Sequence, residues 1–100
     1  MSLQTVQFRT AAADAAQVRS QLEKVFDALN AATPRGVTYT AYASTSEPEF
    51  LLILDLADGI ENPLLTLPDA TRLRELISEV AGGPVPPRLC TVVGRYDARR

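Results

Sequence analysis

The sequence predicts an α+β domain in which two helices cover one face of a four-stranded antiparallel sheet. Two observations support this. The elements follow one another as strand, helix, strand, strand, helix, strand, and one strand, Phe50 to Leu54, is apolar at every position. Successive side chains of a strand point to opposite faces, so a half-buried strand should read apolar, polar, apolar. We therefore expect this strand to be buried on both faces.

The first two elements show clear periodicity. Thr5 to Thr10 alternates, with Val6 and Phe8 on one face, which predicts a strand. Asp14 is predicted to cap the helix that follows, with Gln17 as its reciprocal partner in a capping box. One stripe of this helix is apolar, and it consists of Val18, Leu22, Val25, Phe26 and Leu29. Turn residues from 33 to 36 end the helix.

The middle of the chain predicts a hairpin. Val37 to Ser44 is rich in β-branched residues and tyrosine, as strands are. A loop around Glu47-Pro48-Glu49 leads from it into the apolar strand, which Asp58-Gly59 ends.

A second helix and a last strand complete the pattern. The helix is expected to begin near Thr66, since Pro68 suits a first turn and Asp69 complements the helix dipole. Its buried stripe is predicted to be Leu73, Leu76, Ile77 and Val80. Gly82-Gly83 ends it, and the last strand is predicted from Leu89 to Tyr96.

Two strand–helix–strand units joined by a hairpin form the ferredoxin-like βαββαβ arrangement, here over one domain, residues 1–100. The third strand then lies in the interior of the sheet, and the two helices leave its other face uncovered. Each large apolar side chain left in water would forgo about 1.5–3 kcal/mol. We therefore predict a homodimer packed sheet to sheet.

Composition excludes several classes of protein. The net charge of −2 argues against nucleic-acid binding, which calls for a basic face. There is no histidine and only one cysteine, Cys90, so neither a metal site nor an intrachain disulfide is expected. No apolar run approaches the length of a membrane span, and the start of the chain lacks a secretory signal pattern. We expect a cytoplasmic protein that does not bind membranes.

The order of elements, the doubly apolar third strand and the Leu-Asp-Leu-Ala-Asp-Gly stretch at its end, residues 54–59, resemble the antibiotic biosynthesis monooxygenase superfamily of dimeric α+β barrels. The resemblance implies a pocket between sheet and helices. Members of that superfamily include cofactor-independent oxygenases of polyketide phenols and heme-degrading enzymes. The heme-degrading branch uses an asparagine, a tryptophan and a histidine. Here the first two positions fall at about Phe8 and Ala57, and the chain has neither histidine nor tryptophan.

The resemblance also suggests candidate site residues. If Ala57 faces the pocket, Asp55, two residues earlier, faces it too, and its carboxylate is the candidate general base for a phenolic proton. The predicted pocket lining is Phe8, Leu22, Phe26, Tyr39, Ala57, Leu73 and Ile77. The predicted dimer interface is Leu52, Leu54, Leu56 and Tyr96, with the odd-numbered face around Ile53 as the alternative. Asn62 is either a ligand-orienting residue or simply a turn residue before proline.

Two other classes share the order of elements. RNA-recognition domains carry aromatic and basic residues on their central strands, where this chain has Leu51 to Leu54. Regulatory domains of the ACT type tend to bind ligands at a glycine-containing loop after the first strand, where this chain has Ala11-Ala12-Ala13. The favoured function is cofactor-independent oxygenation of a small aromatic phenol, with no metal, heme or flavin. The alternative is a non-catalytic homodimer that binds a small hydrophobic molecule or serves as an accessory protein.

Overall fold

The computed structural model describes residues 2–98 and confirms the ferredoxin-like α+β fold. The strands and helices are β1 (Ser2–Arg9), α1 (Ala15–Ala32), β2 (Val37–Ala43), β3 (Glu49–Leu56), α2 (Pro68–Ala81) and β4 (Arg88–Cys90). All neighbouring strands are antiparallel, in the order β2-β3-β1-β4. Within residues 2–98, no helix combines the length and apolar character that a membrane span requires.

Alternation along β3 divides the sheet into two faces. The even-numbered side chains are buried beneath the helices, and they are Phe50, Leu52, Leu54 and Leu56. The odd-numbered residues Leu51, Ile53 and Asp55 are half-buried on the other face, which we call the open face. Ile53 is paired there with Thr5 of β1 and Thr40 of β2. The apolar run thus supplies both the core and the centre of the open face.

This register shows that the predicted dimer interface was placed on the wrong face of β3. Leu52, Leu54 and Leu56 are only 3%, 5% and 5% exposed because helices of the same chain cover them. Because every residue of this run is apolar, the sequence does not show whether its even-numbered or its odd-numbered side chains face the helices. Pairing with β1 decides between them, since Val6 lies opposite Leu52 on the helix-covered face.

The helices bury the stripes that their sequences predict. Val18 and Val25 of α1 are fully buried, and Leu76 of α2 is 2% exposed. Gln21 is a buried polar exception, and its Nε2 donates a hydrogen bond of 2.8 Å to the Asp69 carbonyl, which joins α1 to the start of α2. The predicted capping box is wrong: the residue before α1, Asp14, belongs to a 3-10 turn over Ala12–Asp14 and makes no side-chain cap.

The last strand is much shorter than predicted. β4 pairs with Leu3 to Thr5 of β1 only, and residues 91–98 have no regular secondary structure. All three residues of β4 are exposed, and Leu89 is 79% exposed. Tyr96, predicted at a dimer interface, lies in the irregular segment and is 90% exposed within the single chain. A strand with neither face covered gains little from burial, and pairing with β1 ends after three residues.

The fold makes a prediction that a matched pair of leucine variants can test. Leu76 is 2% exposed and Leu65 is 66% exposed. Leu76→Ala should lower the free energy of unfolding by about 2–5 kcal/mol, since it removes core contacts and leaves a void. Leu65→Ala should change it by no more than about 0.5 kcal/mol. Urea denaturation followed by circular dichroism measures both, and equal losses would contradict this assignment of the core.

Candidate functional site

A cavity of about 440 Å³ lies between the helix-covered face of the sheet and α2. Its floor is formed by β1, β3 and β2, and its roof by one face of α2. The turn over Pro63–Leu65 and the connection over residues 84–87 close its sides. The apolar lining is Val6, Leu52, Leu54, Leu64, Leu65, Ala70, Leu73, Ile77, Pro84, Val85, Pro86 and Pro87. The polar lining is Gln4, Tyr39, Asn62, Arg74 and Ser78.

The floor follows a cross-strand row. Leu54 of β3 pairs with Gln4 of β1 on one side and with Tyr39 of β2 on the other. Paired residues in an antiparallel sheet project to the same face. The floor therefore presents an amide, an aliphatic side chain and a phenol in line, with Tyr39 at the β2 end.

Arg74 supplies a cation at the rim of the roof. Its Nη1 donates to the Leu64 carbonyl at 3.2 Å and its Nη2 donates to Thr71 Oγ1 at 2.9 Å. These bonds hold the guanidinium beside the turn that closes the cavity. A cation so placed favours a ligand that carries negative charge on oxygen.

Asn62 shapes that turn. Its Oδ1 accepts a hydrogen bond of 2.9 Å from the Leu64 N–H and so caps the 3-10 turn over Pro63–Leu65. The turn interpretation of Asn62 is therefore correct. The side chain also lines the cavity, and its amide nitrogen makes no hydrogen bond with the part of the chain that the structure describes.

Tyr39 is the phenol of the floor. Burial raises the pKa of Tyr39 to about 12, although the Arg74 guanidinium acts to lower that pKa. Its ring packs against Phe26, with 5.4 Å between the ring centroids. At neutral pH the hydroxyl is protonated, so it can donate or accept a hydrogen bond but cannot serve as a ready base.

Gln4 is a site residue that sequence analysis missed. It lies on the same face as Val6 and Phe8 because all three have even numbers. Its side chain makes no hydrogen bond among residues 2–98, although it points into a cavity lined mostly by aliphatic side chains. A polar residue that interrupts the apolar face of a strand was the available signal.

The residues predicted for the pocket lie in four different places. Tyr39, Leu73 and Ile77 line the cavity. Phe8 and Leu22 are packed in the core away from it, Phe8 stacked on Phe50 at 5.4 Å between centroids. Phe26 lines a smaller neighbouring cavity, and Ala57 is exposed just after the end of β3.

Asp55 does not face the cavity, so the prediction that it is the general base of this site is wrong. Asp55 is an odd-numbered residue of β3, so its side chain lies on the open face, where Asp55 is paired with Leu3 and Thr38. The sheet therefore separates its carboxylate from the cavity. The expectation assumed that Ala57 faces the pocket, and that assumption was wrong. Within residues 2–98, no aspartate, glutamate or histidine lines the cavity.

Comparison with known proteins places this fold beside antibiotic biosynthesis monooxygenases. A candidate antibiotic biosynthesis monooxygenase from Deinococcus radiodurans has a TM-score of 0.71 and 16% identity, and the match covers 100% of each chain. A crystal structure of an antibiotic biosynthesis monooxygenase has a TM-score of 0.71 and 15% identity, over 94% of this chain and 100% of the other. A candidate enzyme of the same kind from Bordetella bronchiseptica has a TM-score of 0.59 and 14% identity, over 92% and 96%.

These matches confirm the resemblance at the level of the fold. The class that fold and cavity define is a ferredoxin-like α+β protein of the type found in those monooxygenases. No protein-family model matches the sequence, and no curated protein matches it either.

The buried phenol predicts a pH-dependent stability. The pKa of Tyr39 is about 12 in the folded chain, against an ordinary value of 10.0. The native state therefore keeps a proton that the unfolded state loses, so the stability present below pH 10 is lost as pH rises towards 12. The total loss is about 2–3 kcal/mol, from about 1.4 kcal/mol per pH unit.

Tyr39→Phe should lack this loss, because phenylalanine does not titrate. The difference in unfolding free energy between wild type and variant, measured by urea denaturation from pH 9 to 12, isolates Tyr39 from other titrating groups. Parallel curves for the two proteins would contradict the buried position of the hydroxyl.

Proposed function

We propose that this protein is a homodimer that binds a small aromatic phenol in the cavity and oxygenates it with O₂ without a cofactor. The observation that carries the proposal is the cavity itself, whose walls are aliphatic and whose few polar groups include Gln4 and the cation Arg74. The names of the proteins with the same fold support oxygenation as the reaction. A cytoplasmic location remains part of this proposal.

The cavity suits an aromatic ring with one ionisable oxygen. Its volume of about 440 Å³ is within the range of roughly 300–1,000 Å³ that small-molecule sites occupy. Leu54, Leu73 and Ile77 provide apolar contact for the ring. Arg74 and the Gln4 amide provide donors for a phenolate or enolate oxygen.

The reaction requires the bound molecule to become an anion before O₂ attacks. In an anthrone-like substrate, the ring methylene of the keto form reacts with O₂ and becomes a carbonyl, and its two hydrogens leave with the second oxygen atom as water. Loss of the acidic proton creates an electron-rich anion, and a nearby cation stabilises that anion. We assign this stabilisation to Arg74, which lines the cavity, and the proton passes to solvent water.

A second candidate function is binding without catalysis. It is favoured by one observation, namely that the cavity lining within residues 2–98 contains no carboxylate or imidazole to accept the proton. Such a protein would hold the same ligand but would not turn it over.

Oxygen uptake and calorimetry with an anthrone-like or hydroquinone-like phenol decide between these functions. Wild type should bind the phenol and consume O₂. Arg74→Gln should weaken binding of the ionised phenol roughly 10- to 100-fold, because one hydrogen bond to a charged group contributes about 1.5–3 kcal/mol. The gain in affinity that wild type shows as the phenol ionises should disappear in this variant.

Asp55→Asn is the matched control for this experiment. Its side chain lies on the far side of the sheet from the cavity, so the variant should keep wild-type oxygen uptake. A loss of roughly 10²–10⁴ in rate in this variant would restore Asp55 as the base and refute the cavity assignment. Binding without O₂ consumption by wild type would establish the second candidate.

The open face supports the homodimer. Its centre contains Leu3, Leu51 and Ile53, which are only half-buried in the single chain, and Tyr42 beside them is 55% exposed. At one end, Arg9 forms ion pairs with Glu47 and with Glu49, the second at 2.9 Å between Nε and Oε2. The open face thus has apolar residues in the middle, threonines beside them and a charged margin at one end, and an apolar middle with a polar rim is the usual anatomy of a protein interface.

Sedimentation velocity at micromolar concentration tests the dimer. Wild type should sediment as a dimer, and Ile53→Asp should sediment as a folded monomer, because a charge at the centre of the interface would be desolvated without a partner. Ala16→Asp adds the same charge to an exposed position of α1 and should leave the dimer intact. A monomeric wild type would disprove this part of the proposal.

A further inference from the structure

Tyr39 belongs to two cavities at once. On one side it ends the floor of the cavity described above. On the other side it lines a second cavity of about 250 Å³ between the end of α1 and β2. The apolar walls of this second cavity include Phe26, Leu29 and Val37. Its polar walls include Asn30 and Thr33. Tyr39 therefore lies between a cavity with mainly apolar walls and a smaller one whose walls are apolar and polar in part.

We propose that the Tyr39 ring is a specificity-determining wall that limits how long an apolar substituent the bound phenol can carry. This inference rests on the proposed function, since it assumes that the first cavity holds the ligand. In this proposal, the second cavity is the space that a longer substituent would enter if the Tyr39 ring were removed. In the wild-type protein the ring excludes such a substituent.

The cross-strand row on the floor of the cavity sets how long a bound ligand can be. Gln4 and Tyr39 lie two strands apart with Leu54 between them. Adjacent strands are about 4.8 Å apart, so the strands that bear Gln4 and Tyr39 are roughly 10 Å apart, and a ligand whose oxygen bonds to Gln4 must fit within less than that length before it meets the Tyr39 ring. A ring with a short substituent fits this distance, and a longer substituent does not.

The ring is held in position from behind. Phe26 packs against it at 5.4 Å between centroids, with an angle of 33° between the ring planes. The backbone of Tyr39 is fixed by the pairing of β2 with β3. A side chain restricted on these sides cannot swing aside without displacing Phe26, so a ligand meets it as a wall.

A series of 4-alkylphenols of increasing chain length tests this proposal by calorimetry. For wild type, the affinity should rise roughly fourfold per added methylene and then stop rising when the chain meets the ring. Tyr39→Ala should move this limit to longer chains by several methylenes. Tyr39→Leu should move it by fewer, and it provides the same test should the alanine variant fail to fold.

Two controls separate removal of the wall from other effects. Tyr39→Phe keeps the ring and should keep the wild-type length limit, whatever it does to the affinity for the shortest phenol. Leu29→Ala enlarges the second cavity without removing the Tyr39 ring, and its length limit should also be unchanged.

The possible failures are distinguishable. A wild type that binds no alkylphenol of the series would overturn the proposed function, and this inference with it. A wild type that binds with a length limit which neither Tyr39→Ala nor Tyr39→Leu moves would overturn only the role of Tyr39. A shifted limit in Tyr39→Phe would likewise refute the wall, since the ring would still be present.

Discussion

The pairing of β3 with both β1 and β2 is the constraint on which the rest of this structure depends. β3 is apolar on both faces from Phe50 to Leu54, so its own sequence would accept either orientation. A slip of one residue in register would exchange the helix-covered and open faces. Pairing with β1 places Leu52 opposite Val6, and the buried stripes of α1 and α2 then cover that side. The location of the cavity and that of any partner follow from this choice.

The elements could be predicted from sequence because their signals are local. The stripes of α1 and α2 repeat with the helical period, and the hairpin between β2 and β3 is flanked by turn residues. The last strand was overestimated because its apolar residues suggest β structure, whereas β4 lies at an edge of the sheet where its residues are exposed and pairs with β1 over three residues only. The capping box failed for a related reason, since a 3-10 turn before α1 leaves Asp14 with helical dihedral angles, φ −92° and ψ −12°.

The candidate site was harder to predict, since it depends on parity and on contacts between distant segments. Tyr39, Leu73 and Ile77 were expected in a pocket and line the cavity, but Asp55 was placed there by reference to Ala57. Ala57 lies beyond the end of β3, beside the turn at Gly36, whose φ of +71° suits glycine. Its backbone N–H donates to the Gly36 carbonyl at 2.8 Å. This hydrogen bond continues the register in which Val37 pairs with Leu56. Ala57 therefore shares the odd parity of Asp55, which sets both residues apart from the even-numbered side chains of β3 that face the cavity.

The chemistry of the cavity follows from which side chains the fold admits to it. A neutral phenol, two amides and an exposed guanidinium can bind an oxygen anion, but none of them readily accepts a proton at neutral pH. In the proposed reaction, the substrate must therefore be acidic enough to ionise with the help of the donors Arg74 and Gln4. Phenols and enols whose anions are delocalised over a ring meet this requirement, and simple alcohols do not. The absence of a carboxylate from the described lining thus narrows the proposed substrate class more than the volume of the cavity does, and the proposed reaction would depend on the electrostatic contribution of Arg74.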